Sequence, residues 1–350
     1  MNEPTATPGP KVSSDEVSSR HAESACRGSL LRTSIESSAM KILAVDLGGS
    51  HATCALVENR SILARETIAL PGSPSLAAAL SAIEEPLRHI QAVSGVADAI
   101  GFGFCGLVDS RRTRIASTNG KYTDAVNLDL SRWATDVFGL PLRLENDARL
   151  ALLGECHAGA AQGETDVVMF TLGTGIGGVA MINGHMLRGK HDQAGVLAGH
   201  VPVILKGRRC TCGGLGCAES EASGWALPMI AREWPGFAAS PLAFRDIDFR
   251  NLFACAAAGD PVSREIVDHC LHVWGATAVA AIHSFDPELL LFGGGVMQSA
   301  DVILPFIQDY VGSNTWTPWG TVQVRVAQLG NDAALFGVVP LFEQERSFVR

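Results

Sequence analysis

The chain has 350 residues, 47% of them hydrophobic, which is enough apolar surface for two substantial cores. A net charge of −9 argues against nucleic acid or an anionic membrane surface as partner, and no stretch is apolar for the ~20 residues that a membrane helix needs. Nine cysteines without a recognisable signal peptide point to a reduced, cytoplasmic setting.

Residues 1–39 are rich in Ser, Pro, Thr and Glu and lack periodicity, so they are expected to form a disordered leader. Periodicity begins abruptly at Met40, which fits a translation start there. Apolar runs broken at Gly48-Gly49 and Asn59-Arg60 predict an antiparallel meander over 42–46, 53–58 and about 62–70. A helix over about 75–93 and a buried strand over 99–104 follow. A second lobe is placed from about Pro141. It opens with a strand over 142–145, a helix over 147–160, a strand over 167–172, a glycine turn and a strand pair around 179–187. A helix over 262–285, strands over 289–292 and 322–327, and a last helix from about Asp332 complete the reading. The repeated order of strand, glycine turn and strand suggests two related lobes, 40–140 and 141–337, around a cleft, with a C-terminal helix over about 338–350 packing back on the first.

Three glycine turns sit at strand ends. Gly48-Gly49 follows Asp46 and precedes Ser50; alone it reads as a plain hairpin turn. Thr171-Leu172-Gly173-Thr174-Gly175-Ile176-Gly177-Gly178 contains the Gly-x-Gly-x-x-Gly spacing, but it runs on into a strand, whereas a dinucleotide fingerprint must open a helix. It reads as a phosphate-gripping hairpin, and no P-loop stretch exists elsewhere. Gly293-Gly294-Gly295 ends the apolar run 289–292 and offers a third close approach of backbone to a ligand. At the end of another strand, Glu145-Asn146-Asp147-Ala148 opens a helix. Asp147 there can be a helix cap, a general base that takes a proton from a substrate hydroxyl, or both.

His200, Cys210, Cys212 and Cys217 give the strongest signal. Three thiolates and one imidazole make a closed tetrahedral zinc site, and the glycines at 213, 214 and 216 permit the tight turns that bring the last two thiols onto one ion. A disulfide is a poor alternative in a reducing compartment. The six other cysteines lack ligand spacing and read as small buried residues.

Taken in order from Met40 to the C-terminus, these motifs resemble the ROK family, bacterial sugar kinases and sugar-responsive repressors, and a glucokinase-like member in particular. The carrying segments are Asp46-Leu47-Gly48-Gly49-Ser50, Gly103-Phe104-Cys105-Gly106-Leu107-Val108-Asp109, 172–178, 292–296 and Asn331-Asp332-Ala333-Ala334-Leu335-Phe336-Gly337. The resemblance implies an α/β, two-lobed actin-like (hexokinase- and ribonuclease H-like) ATPase fold with ATP, Mg2+ and a sugar in the interlobe cleft, and a homodimer or tetramer. ATP would lie on Asp46, Gly48, Gly49, Ser50, Thr171, Gly173, Thr174, Gly175, Gly293, Gly294 and Gly295. Asp147 would deprotonate the sugar hydroxyl, probed further by Asn119, Asn146, His200 and Glu219, while His200 also binds the structural Zn2+ through its other ring nitrogen.

Two departures stand out. The family pattern Glu-x-Gly-His becomes Leu197-Ala198-Gly199-His200, so a carboxylate that accepts sugar hydroxyls is missing. In the first phosphate motif, Thr-Lys/Asn-x-Arg becomes Ser50-His51-Ala52-Thr53, which loses basic character that Arg188, Lys190 or Lys121 would have to supply. The competing readings are a sugar sensor without turnover, for which residues 1–39 are too few to form the repressors' winged helix, and an actin-like filament or chaperone ATPase, which gives no reason for the zinc loop.

Overall fold

The computed structural model describes residues 39–70, 75–111, 113–118 and 120–343. The leader assigned to 1–39 falls, but for its last residue, outside them, as do Asn119 and residues 344–350.

Strands β1 (Lys41–Leu47), β2 (His51–Glu58) and β3 (Ser61–Ala69) form the expected antiparallel meander. Helix α1 (Leu76–Ser94), capped by the Ser75 hydroxyl on the Ala78 N–H, leads to β4 (Ala99–Phe104). A small hairpin of β5 (Gly106–Asp109) and β6 (Arg114–Thr118) and helix α2 (Leu130–Phe138) precede β7 (Leu142–Asn146). The first sheet has the order β3-β2-β1-β4-β7. Helix α3 (Asp147–Ala158) then passes to β8 (Val167–Leu172), β9 (Ile176–Ile182) and β10 (His185–Met186). After a long excursion come α4 (Ala218–Ala222), α5 (Leu227–Glu233), α6 (Phe249–Ala257) and α7 (Pro261–Phe285). Strand β11 (Leu289–Gly293), helix α8 (Ala300–Asn314), β12 (Gln323–Val326) and α9 (Ala333–Glu343) complete the described chain.

The second sheet has the order β10-β9-β8-β11-β12. In each sheet three strands meander antiparallel and two more add in parallel, so the topology is the same twice. This is the actin-like architecture that the resemblance implies. One boundary is corrected. The strand at 142–145 was placed in the second lobe, yet β7 pairs in parallel with β4, Gly103 against Glu145, and so closes the first sheet. A parallel neighbour needs a crossover, and α2 supplies it, so the punctuation at Gly139-Leu140-Pro141 marks the end of that crossover and not a change of lobe.

Both sheets are buried on two faces, which is why their central strands read as continuous apolar runs. On β1, Leu43, Val45 and Leu47 face a core with α1 and α2, while Ile42 and Ala44 face inward. On β8, Val168, Phe170 and Leu172 meet α6 and α7, while Val167 and Met169 face inward. Helices α3 and α9 fill the inner layer, with α9 also against β1, β2 and β4. Their crossing is backbone against backbone: a Cβ on Gly154 would overlap the Ala333 carbonyl, and one on Gly337 the Leu150 carbonyl. The carboxyl ends of β1, β4 and β7, and of β8 and β11, deliver Asp147 and the glycine turns, the place where sheets with parallel strands bind ligands.

Candidate active site

Asp147 is the first residue of α3, and the helix cap is its neighbour. Asn146 Oδ1 accepts the Arg149 N–H at 3.2 Å, while its Nδ2 donates to the Gly106 carbonyl (3.1 Å) and to Asp147 Oδ1 (2.9 Å). The Ala148 N–H donates to the same Oδ1 at 2.8 Å. Asp147 is thereby oriented through one oxygen and released from the capping duty that its sequence position allows. Burial pushes its carboxyl up, opposed by these donors and by the charge of Lys121. At the end of β1, Asp46 is pushed up to about 7, first by lost hydration and then by the negative charge of Asp147.

The first glycine turn closes with Gly48 N–H on the His51 carbonyl at 3.0 Å. Ser50 is exposed, its hydroxyl 3.3 Å from His51 Nδ1. Tyr122 donates its hydroxyl to the Gly48 carbonyl (2.6 Å) and packs its ring on Phe104, 5.8 Å between centroids. The Lys121 side chain runs over Gly49, occupying the space a Cβ there would need.

The second and third turns come together. Thr171 on β8 is in register with Gly293 on β11. Gly173 N–H reaches the Gly175 carbonyl at 3.0 Å, and the carbonyls of Gly173 and Thr174 accept Gly224 and Trp225 N–H, each at 2.9 Å. Gly294 has φ +92° and a Cβ there would strike the Leu172 backbone, so only glycine fits. With Gly173, Thr174 and Gly295, the side chains of Trp225, Asp248, Phe249 and Val296 line a cavity of about 320 Å3. Of those four, Val296 lies in the segment 292–296 noted in the sequence, whereas Trp225, Asp248 and Phe249 were not singled out, because nothing local marks a residue as a cavity wall.

His200 ends a short 3-10 turn (Ala198–His200) whose Gly199 lies directly on the Ile176 carbonyl of β9. Its Nδ1 stands 3.4 Å from Cys210 Sγ, Cys212 and Cys217 Sγ are 3.7 Å apart, and all four donor atoms lie within 4.8 Å of one another. A tetrahedral zinc ion with bonds of 2.0–2.3 Å spaces its ligands by ~3.3–3.8 Å, whereas a disulfide would need ~2.05 Å. The donor set and its spacing therefore fit zinc. The loop is also anchored without metal. Arg208 bonds the buried Glu221 through its backbone N–H (2.5 Å) and guanidinium (2.9 Å), and Gly216, at φ +65°, lets the chain press on the Ile204 carbonyl. Glu219, just past Cys217, accepts the Ile176 N–H (3.0 Å) and the Trp225 indole N–H (3.2 Å). Its carboxylate ties the zinc loop to the second glycine turn, a link beyond the sugar contact read from the sequence.

A buried charge cluster escaped the sequence reading. Arg149, fully buried on α3, donates to the carbonyls of Leu187 (3.1 Å), Asp192 (2.8 Å) and Ala194 (3.2 Å) and lies 3.5 Å from Glu145. Arg188 pairs with Glu145 (2.5 Å) and Asp192 (3.8 Å) and donates to Ser110 Oγ (2.7 Å). This clamp fixes the segment that leads into His200 against the first turn of α3. Leu197, between clamp and histidine, is 46% exposed.

The sequence matches the ROK family over residues 42–345. It is 30% identical to a glucokinase of Thermotoga maritima over 87% of this chain and 98% of that protein, and 29% identical to an N-acetylmannosamine kinase of Salmonella arizonae over 73% and 84%. The fold is similar to that of a ROK family glucokinase from Streptomyces griseus, solved in complex with glucose and AMPPNP. That match has a TM-score of 0.70 at 31% identity and covers 87% of this chain and 99% of that one. The chain belongs to the ROK family.

Proposed function

We propose that this protein transfers the γ-phosphoryl group of ATP to the 6-hydroxyl of a hexose. The observation that carries this reading is an Asp147 oriented through one oxygen beside Asp46 and Lys121, with glycine turns ending strands of both sheets. Asp147 accepts the hydroxyl proton as the oxygen bonds to the γ-phosphorus, the bond from that phosphorus to the β,γ-bridging oxygen breaks, and ADP leaves. Mg2+, held mainly by ATP oxygens and water, would neutralise phosphate charge. Backbone N–H groups of the Gly48 and Gly173 turns would donate to phosphate oxygens, and the 320 Å3 cavity would take the nucleoside.

Asn119, Asn146, His200 and Glu219 would hold the sugar beside Asp147. Cys210, Cys212, Cys217 and His200 Nδ1 would hold a structural zinc ion, leaving His200 Nε2 to meet a sugar hydroxyl. Names of relatives that act on glucose and on N-acetylmannosamine support a hexose-type acceptor. A cytoplasmic homo-oligomer, dimer or tetramer, completes the reading; among the described residues no helix is long and apolar enough to cross a membrane.

The test is ADP release across hexoses, N-acylhexosamines and fructose. Release that depends on one of these sugars is expected, and sugar-independent release would point to a different ATPase. Leu197 favours one second reading, a sugar-binding regulator: an apolar side chain stands where a hydroxyl acceptor belongs. Ligand-induced stabilisation without ADP release on any sugar would establish that alternative. Metal analysis of the purified protein should return one zinc per chain.

A further inference from the structure

We propose that Lys121 is a catalytic residue whose ammonium engages the phosphoryl group in transfer, replacing the basic side chain that the first glycine turn lacks. The inference rests on the reading of that turn as a phosphate site. The turn itself, Gly48-Gly49-Ser50-His51-Ala52-Thr53, carries no lysine or arginine, yet a phosphoryl group passing between oxygens needs positive charge beside it. Of the three cations the sequence offered, Arg188 is committed to Glu145 and Asp192; Lys190 and Lys121 are both exposed, and of these Lys121 lies over the turn. Lys121 forms no ion pair among the described residues, and its Nζ lies over Gly49, in the space that a methyl group on that glycine would take.

The backbone holds it there. Gly120 and Tyr122 flank it at φ +75° and +53°, conformations that need compensation in a non-glycine residue. The compensation comes from Tyr122, 2% exposed, through its hydroxyl on the Gly48 carbonyl and its ring on Phe104. The segment is thus fastened to the phosphate turn with the lysine pointing across it. The same ammonium is near enough to Asp147 and Cys105 to favour their charged forms, so it stands on the side of the turn where the base lies.

The test compares wild type, Lys121→Met, Lys121→Arg and Gly49→Val in turnover of glucose and in calorimetric binding of ADP, of a non-hydrolysable ATP analogue and of glucose. Lys121→Met is expected to lower kcat by roughly 100-fold or more. It should weaken the triphosphate analogue at least fivefold, with ADP and glucose affinities within twofold, and Lys121→Arg should recover at least tenfold of the loss. The binding arm decides even if glucose is not turned over, because losing a cation from the terminal phosphate weakens the analogue and leaves ADP unaffected. Analogue affinity unchanged in Lys121→Met overturns the proposal. If Gly49→Val then loses nucleotide while Lys121→Met does not, the turn still binds phosphate and the lysine alone was misassigned; if neither variant changes binding, the turn reading falls with it.

Discussion

At the carboxyl end of the first sheet stand side-chain charges, Asp46, Lys121 and Asp147, whereas the second sheet, built with the same strand order, offers backbone at Gly173, Gly175 and Gly294. The difference separates two demands of phosphoryl transfer on one scaffold. Charges that change during reaction need tunable groups, and burial strips hydration from Asp46 and Asp147. On the proposed reading, a nucleotide that stays bound needs donors in fixed positions, and the glycine turns would supply them at the expense of conformational freedom. Variants of the first sheet should therefore disturb chemistry and pH response, and variants of the second should disturb folding and nucleotide affinity.

The largest expected effect lies in the insertion of the second sheet. Removing zinc by chelation should destabilise the chain by roughly 5 kcal/mol, less than in peptides that fold only around zinc because Arg208 and Glu221 still hold the loop. A scanning calorimeter should see the midpoint fall and sugar affinity weaken together. An unchanged midpoint in metal-free protein would mean that the four ligands hold no structural ion.

Next comes Gly294→Ala. A Cβ at φ +92° against the Leu172 backbone should cost about 2–4 kcal/mol and weaken ADP binding at least tenfold. Denaturant midpoints and ADP titration check both numbers, and a neutral variant would remove the claim that this turn is conformationally fixed.

Asp46→Asn tests the opposite behaviour of the first sheet. The unfolded carboxyl releases its proton near 3.8 and the folded one near 7, so its contribution to stability is full below about pH 4 and lost as pH rises through 7. The asparagine variant should lack that slope and be more stable than wild type at pH 8 by roughly 1–3 kcal/mol, while losing activity. Parallel stability curves for the two proteins would contradict a dehydrated Asp46. Smallest is Leu197→Glu: a carboxylate before His200 should lower the KM for glucose about three- to tenfold, the worth of one hydrogen bond of about 1 kcal/mol. A higher KM would show that Leu197 is matched to a different sugar.

How far these features were legible follows from how local they are. The glycine turns and the strands at 99–104 and 167–172 are written in consecutive residues, and the His200, Cys210, Cys212 and Cys217 cluster spans only 18 positions, so spacing alone exposes it. The cap at α3 shows the limit of that resolution. Asn146 and Asp147 are both good caps, and only the backbone geometry of the strand end decides that Asn146 caps and Asp147 is the first helical residue. The placement of β7 was missed because parallel pairing with β4 is set across α2, not by any residue within 142–146. Arg149 was invisible for the same reason: its three carbonyl partners lie 38 to 45 residues away, and a lone arginine in a helix reads as solvated surface. Lys121 was named without a place, since only the fold lays it over Gly49.

The most direct measurement is the turnover of wild type against Asp147→Asn with ATP and the preferred sugar, alongside calorimetric binding of each ligand to both proteins. A base role requires kcat to fall by roughly 100- to 10,000-fold with sugar and nucleotide affinities held within a few-fold. A variant that keeps kcat within threefold of wild type would contradict it.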